Sequence, residues 1–202
     1  MSEQKSKYGH LTLNWFEDII NRLGGEEGAE RFKRGELVLV PATKRELKVW
    51  KTVKLGVHKT ADGYREALKK AGRKIGDWAN DILGKPQFTC AQEETDVDLV
   101  MLTVAELGFK DGARYADICA RALSWGLELC PAEVGPALRL QYGDQPRDEW
   151  VRVGMEAITD SDGYLSIFAV FCGNVGLWLD GFDGHPDSVC SAVNRFVFVR
   201  RK

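Results

Sequence analysis

Between Ser166 and Asn194 the chain has no Lys, Arg, Glu, Gln or Met, although 29% of its 202 residues are charged. Other absences narrow the function classes. Histidine occurs only at His10, His58 and His185. The sequence has no His-Glu-x-x-His zinc motif, no Gly-x-Ser-x-Gly nucleophile turn and no Gly-rich phosphate loop closed by Lys-Ser/Thr. The common signatures of metal, acyl-transfer and nucleotide chemistry are therefore missing, and no catalytic residue, metal ligand or cofactor is assigned. No apolar run approaches the ~18 residues of a membrane helix. The opening MSEQKSKYGH lacks the apolar centre of a secretory signal. A cytoplasmic protein is expected, unless a leader has been removed; surface display stays open.

Five cysteines, Cys90, Cys119, Cys130, Cys172 and Cys190, form no close pairs. That spacing fits neither a disulfide framework nor a zinc module, and predicts small, mostly buried apolar side chains.

What is present is an ordinary globular composition, 44% hydrophobic, long enough for one large domain or two small ones. Charge is unevenly spread. Residues 41–85 hold twelve Lys/Arg against five Asp/Glu, and residues 86–194 hold six against eighteen. The switch, together with Gly84-Lys-Pro-Gln87, predicts a domain boundary near 85–95. Residues 1–90 are then a mixed α/β module of unassigned role, and 91–202 a second domain.

Hydrophobic spacing supplies the elements. A helix is predicted over 14–25, with Asn14 as N-cap and Gly24-Gly25 as stop. A strand is predicted at 35–42, ended by Pro41. Residues 44–57 read as strand or exposed face. Residues 60–84 read as a helix or helix pair, weakened by Gly72 and Gly76. Strand-like runs follow at 96–109, 127–131, 149–159, 164–171, 176–181 and 195–200. A helix is predicted over 112–127, with Ile118, Ala122 and Leu123 inward. Helices first and antiparallel strands last predict an α+β fold.

Several short motifs have two readings. Asp160-Ser-Asp-Gly163 resembles the start of a calcium loop but lacks the downstream Glu, and reads as a tight turn. Asp180, Asp183 and His185 can be drawn as a metal or acid–base cluster, and Cys190 with His185 as nucleophile and base. With no orienting third group, a Gly-rich surface loop explains them. The basic stretch 44–74, with Trp50 and Tyr64, can track phosphates and stack bases, so nucleic acid is a candidate partner. A solvated helix face accounts for the same residues.

The palette of 166–194 has a genetic reading as well. Replacing the adenines of an Asn codon, AAC or AAT, by any base never yields Lys, Glu, Gln, Met or Trp. Those five types make up roughly a fifth of the chain, yet between Ser166 and Asn194 only Trp178 belongs to the set. Buried sheet is also poor in Lys, Glu and Gln. However, Gly181-Phe-Asp-Gly-His-Pro-Asp-Ser-Val-Cys-Ser-Ala-Val-Asn194 has the Gly, Pro, Asp and Ser of a loop without its usual Lys and Glu.

The sequence GLWLDG, then HPD, then NRFVFVRRK resembles the C-terminal variable region of proteins diversified by diversity-generating retroelements. The likeness is close over about 150–202 and loose over 94–149. It departs from the family where a Trp-x-Pro-Asp-type step is expected, since this chain has Cys190-Ser-Ala-Val193. The resemblance implies a C-type-lectin-like domain over 91–202, with a variable region at about 166–194 that binds an unidentified protein or glycan and has no catalytic role. It implies a framework of Gly176, Leu177, Trp178, Leu179, Gly181, Gly184, Pro186, Asp187, Arg195, Phe196, Val197 and Phe198. The implied variable set is Ala169, Phe171, Cys172, Gly173, Asn174, Val175, Asp180, Phe182, Asp183, His185, Ser188, Val189, Cys190, Ser191, Ala192, Val193 and Asn194. Phe171, Phe182 and Val189 are expected as exposed anchors, and Trp178 as a buried post whose indole N–H pins a loop.

Overall fold

The computed structural model describes residues 13–37 and 47–201, which belong to two compact units, Met1–Lys44 and Arg45–Lys202. In the first, helix α1 (Leu13–Arg22) is followed by α2 (Gly25–Lys33). The break falls at the predicted Gly24-Gly25, where Gly24 has φ 97°, a left-handed conformation open to glycine without strain. The strand expected at 35–42 lies largely outside the described residues.

The second unit contains, in chain order, β1 (Lys51–Leu55), α3 (Ala61–Lys70), β2 (Lys74–Ile75), α4 (Asp77–Leu83), β3 (Thr95–Thr103), β4 (Ala113–Arg114), α5 (Tyr115–Ser124), β5 (Leu127–Glu128), α6 (Val134–Gln141), β6 (Trp150–Val153), β7 (Ile158–Thr159), β8 (Leu165–Gly173), β9 (Gly176–Asp183), β10 (Val189–Cys190) and β11 (Arg195–Arg200). It is a mixed α+β unit built on one large sheet of order β1-β3-β11-β6-β8-β9-β2, with β5 also on β11 and β7 on β8. The pairs β11–β6 and β9–β2 are parallel; the other pairs in the sheet are antiparallel. Strands β10 and β4 form a separate ribbon.

The closing strand has the bounds its sequence predicts, but lies in the middle of the sheet rather than at an edge. Phe196, Val197 and Phe198 are consecutive and all fully buried. Only a strand covered on both faces hides side chains of both parities. Helix α6 packs against β8 and β9, and α4 against β9, on one face. On the other face Tyr115, at the start of α5, stacks on Phe196 with ring centroids 5.8 Å apart.

Of the helix or helix pair expected over 60–84, a pair forms, with β2 between its members. Thr60 caps α3 by accepting from Gly63 N at 3.0 Å, and Tyr64 and Leu68, one turn apart, are buried. Gly72 then turns at φ 65°, and Lys74-Ile75 pairs with Trp178-Leu179. In α5, Ile118 and Ala122 are buried as expected, whereas Leu123 is exposed. Five residues carry the helix ~140° around its axis from Ile118, so Leu123 lies off the buried stripe. Helix α6 has no counterpart among the predicted elements.

The boundary expected at 85–95 falls inside the second unit. Strand β1 pairs with β3 from Lys51 opposite Leu99 to Leu55 opposite Thr95. One hydrophobic core runs from Val53 to Phe198. Across the charge switch, Lys54 Nζ lies 3.2 Å from Asp96 and 3.8 Å from Glu94, and Thr52 Oγ1 donates to Asp98 at 2.7 Å.

Candidate ligand-binding face

Residues directly opposite in a sheet share a face. The registers therefore place Trp150 (β6), Phe171 (β8), Trp178 (β9) and Lys74 (β2) in one row across four strands. Trp150 stacks on Phe171 with centroids 4.1 Å apart, and the Lys74 ammonium lies 5.0 Å from the Trp178 ring. The next row holds Arg152, Ala169 and Asp180, and the one after it Ile167 and Phe182. All four aromatic rings are half-buried, so this part of the sheet is a partly open aromatic face. Trp178 is part of it. It is not the buried loop post the resemblance implies, because its parity is opposite to that of the buried Leu177 and Leu179.

A buried polar network holds the strand ends. Arg139, fully buried in α6, donates to Gln145 Oε1 and to the Tyr142 carbonyl. Gln145 Nε2 donates to the Glu149 and Val170 carbonyls, each at 3.1 Å. Glu149 accepts from the Tyr142 hydroxyl at 2.7 Å and from Arg195 at 2.8 Å. Asp148, with φ 62°, donates its backbone N–H to the Cys172 carbonyl at 2.7 Å. These bonds tie the β8–β9 hairpin to the segment before β6.

Arg152 is the unusual member of the face. It is 7% exposed, its Nε is enclosed without a partner, and no carboxylate of a described residue pairs with it. Its guanidinium carbon lies 3.9 Å from the Phe182 ring centroid and 5.8 Å from that of Phe196. Burial lowers its pKa from the usual arginine value. A desolvated cation–π contact contributes ~2 kcal/mol, less than the several kcal/mol that burying an ion costs. Arg152 lines an open cleft of about 390 Å³ with Asp148, Glu149, Trp150, Phe182 and Val193 to Arg195.

A second, larger groove of about 660 Å³ lies where Trp78 and Tyr164 meet the loop after β9. Both rings are exposed, Trp78 by 60% and Tyr164 by 72%. Asp183, His185 and Ser188 line it, but they are occupied in shaping their own loop. Asp183 accepts from His185 N at 2.8 Å and from the Ser188 hydroxyl, and His185 Nδ1 accepts from Asp187 N at 3.2 Å. Asp180 and Asp183 are three residues apart on β9, hence on opposite faces, so the cluster drawn from sequence does not assemble. Among the described residues no three His, Cys, Asp or Glu side chains gather as a metal site. Asp160 accepts from Asp162 N and Tyr164 N at 3.0 and 2.8 Å, and Gly163 has φ 88°, which makes that motif the expected turn.

The candidate variable residues divide accordingly. Phe171, Asp180, Phe182, Val193 and Asn194 adjoin the aromatic face or its cleft, and Asp183, His185 and Ser188 adjoin the groove. Asn174 and Val175 form the exposed tip of the β8–β9 hairpin, beside Cys172 and Gly173. Val189 is exposed as expected; Ser191 is exposed and Ala192 half-buried. Two positions do not reach the surface. Ala169 is fully buried, its single methyl lying in register between Arg152 and Asp180. Cys190 is 2% exposed, and burial pushes its thiol pKa up, which leaves it unsuited to a nucleophile paired with His185. Phe171 and Phe182, expected as exposed anchors, are half-buried because Trp150 and Arg152 cover them. All five cysteines are free, Cys130 and Cys190 buried and the others half-buried.

Of the two aromatics singled out in the basic stretch, Tyr64 is enclosed and Trp50 is half-buried. Tyr64 is buried and donates to Glu133 at 2.7 Å, while Trp50 packs edge-on against Tyr142. Among the described residues no helix is long and apolar enough to cross a membrane. Sequence reasoning missed Trp150 and Arg152, although Trp150-Val-Arg-Val153 alternates with period two and puts both on one face. It also missed Trp78 and Tyr164, which only the tertiary fold brings together. No family model matches the chain, and neither a curated protein nor a solved structure matches it.

Proposed function

We propose that this protein is a non-enzymatic ligand-recognition protein whose C-terminal domain is C-type-lectin-like and whose binding surface is rewritten at the residues of 171–194 that reach solvent. The observation that carries this reading is that every exposed residue of 171–194 is of a type open to a rewritten Asn codon. Asn174, Val175, Asp183, His185, Val189, Ser191 and Val193, all outcomes open to a rewritten Asn codon, are exposed. Of the residues assigned to the framework, Leu177, Leu179, Gly181, Gly184 and Phe196 to Phe198 are buried, Trp178 is half-buried, and Gly176, Pro186, Asp187 and Arg195 are exposed. A surface that accepts many side chains needs a backbone held by other residues. Here the hairpin, the Arg139–Gln145–Glu149 network and the central β11 do the holding. The open aromatic face and the groove beside Trp78 and Tyr164 are the two areas where a ligand would meet these residues.

Sequencing the gene from many cells of one population tests the reading. Substitutions confined to adenines in codons 171–194, with a reverse transcriptase and a near-copy of that coding stretch nearby, are the expected result. Substitutions spread evenly over the gene, framework codons included, would overturn it.

A further inference from the structure

We infer that the cleft at Arg152 is a site for a carboxylate carried on an apolar body, with Arg152 as the constant anchor and Phe182, Val193 and Asn194 as exchangeable walls. The exchangeable walls rest on the proposed function; the anchor does not.

An arginine buried to nine-tenths calls for a counter-charge, and the described residues around Arg152 do not supply one. Beneath it are the rings of Phe182 and Phe196, and beside it is the Cys190 thiol, which burial keeps protonated at neutral pH. Asp180, in the same row across β8, accepts from its own neighbour Gly181 N at 2.8 Å. Glu149 is taken by Tyr142 and Arg195. Asp148 points to solvent, its side chain 76% exposed. The rings occupy a face of the guanidinium, so its hydrogen-bonding edge is what remains for a ligand. Nε is enclosed, and the terminal nitrogens are not among the buried orphan atoms while the residue lines the cleft.

The cleft selects within the anions. A guanidinium edge matches a planar carboxylate through two parallel hydrogen bonds. Asp148 on the rim repels a dianion such as phosphate more strongly than a monoanion, while Glu149 is neutralised by Arg195. Trp150, Phe182 and Val193 offer apolar wall, and about 390 Å³ accommodates a body of side-chain size. Arg152 lies outside 166–194 and stays constant, whereas Phe182, Val193 and Asn194 lie inside it. Ligands would then share the carboxylate and differ in the body attached.

Binding to the full chain tests this with 3-phenylpropionate, its neutral amide and inorganic phosphate, followed by Trp fluorescence and by the Arg Nε–Hε resonances. The expected result is saturable binding of 3-phenylpropionate, with the amide and Arg152→Gln each weakening it at least ~10-fold. Arg152→Lys, which keeps the charge but loses the fork, should weaken it by less than Arg152→Gln. A parallel arm with N-acetyl-Ala-Phe, free or amidated at its C-terminus, assigns the source: tighter binding of the free peptide points to a protein chain end, tighter binding of 3-phenylpropionate to a small acid. Equal binding of acid and amide by the wild-type chain, phosphate binding tighter than the acid, or no saturable binding overturns the site, whatever the variants' stability. If the acids bind but gene copies do not vary at 182, 193 and 194, the anchor stands and the exchangeable walls fall. If the copies vary and no acid binds, the site falls while the diversified surface under Proposed function stands.

Discussion

The Tyr64 hydroxyl donates a 2.7 Å hydrogen bond to Glu133 Oε1, joining the helix that precedes the expected domain boundary to the segment that follows it. Glu133 is 1% exposed and also accepts from Gly56 N at 2.8 Å and Ala91 N at 2.7 Å. A buried carboxylate with three donors is costly to break, because each donor loses its acceptor away from water. Glu133→Ala should lower unfolding free energy by about 3 kcal/mol or more, and Tyr64→Phe by about 1 kcal/mol. Both should appear in one cooperative urea transition that includes the C-terminal strands. Separate transitions for residues before and after 90 would contradict the single core.

Stability should fall on the alkaline side. Burial and the Glu133 and Glu149 carboxylates push the hydroxyls of Tyr64 and Tyr142 above the ordinary tyrosine range, and burial raises Tyr115 most of all. The Cys119 thiol is pushed up to about 11 by burial. Groups with raised folded pKa values hold more protons folded than unfolded. Their contribution is complete below the unfolded values, ~8.5 for thiol and ~10 for tyrosine, and is lost as pH rises beyond them. Thermal melts from pH 7 to 11 should show Tm declining from about pH 8.5, more gently in Tyr115→Phe than in the wild type. A Tm that is flat to pH 11 would refute this.

Scaffold and surface should separate in their tolerance. Val189→Tyr and Val193→Tyr, both reachable from a rewritten codon, should change stability by less than ~0.5 kcal/mol, since both sites are 76% exposed. Ala169→Tyr and Cys190→Tyr are reachable in the same way but force a ring into close-packed interior. They should cost ~2 kcal/mol or more by urea denaturation. Equal tolerance at all four positions would mean that the buried assignments are wrong.

The two buried arginines should respond in opposite ways. Arg139→Met strips the partner from Gln145 and the Tyr142 carbonyl and should cost ~3 kcal/mol. Arg152→Met removes an unpaired cation and should leave stability unchanged or raise it by ~1 kcal/mol. Chemical denaturation of both variants decides the matter. A large loss at Arg152 would mean that its ring contacts carry more than a cation–π estimate allows.

Elements with a single dominant period were legible in the sequence. Arg195–Arg200 and the break at Gly24-Gly25 appear where alternation and glycine place them. Legibility failed where distant chain decided the outcome. Lys74-Ile75 becomes strand only because β9 offers an open edge, although its neighbours form helices. Ala169 looks as free as Phe171 until Arg152 and Asp180 close over it.

Local patterning therefore determined the helices, turns and strands other than α6 and β2, and the codon-limited palette by itself singled out 166–194. The mixed sheet with β11 at its centre, the division of the candidate residues between an aromatic face and a groove, and the isolation of Arg152 from the carboxylates of the described residues were decided only by the tertiary structure. The reason is physical. Propensity and periodicity act within a few residues, whereas burial, ion pairing and the orphaning of a charge depend on which distant strands become neighbours.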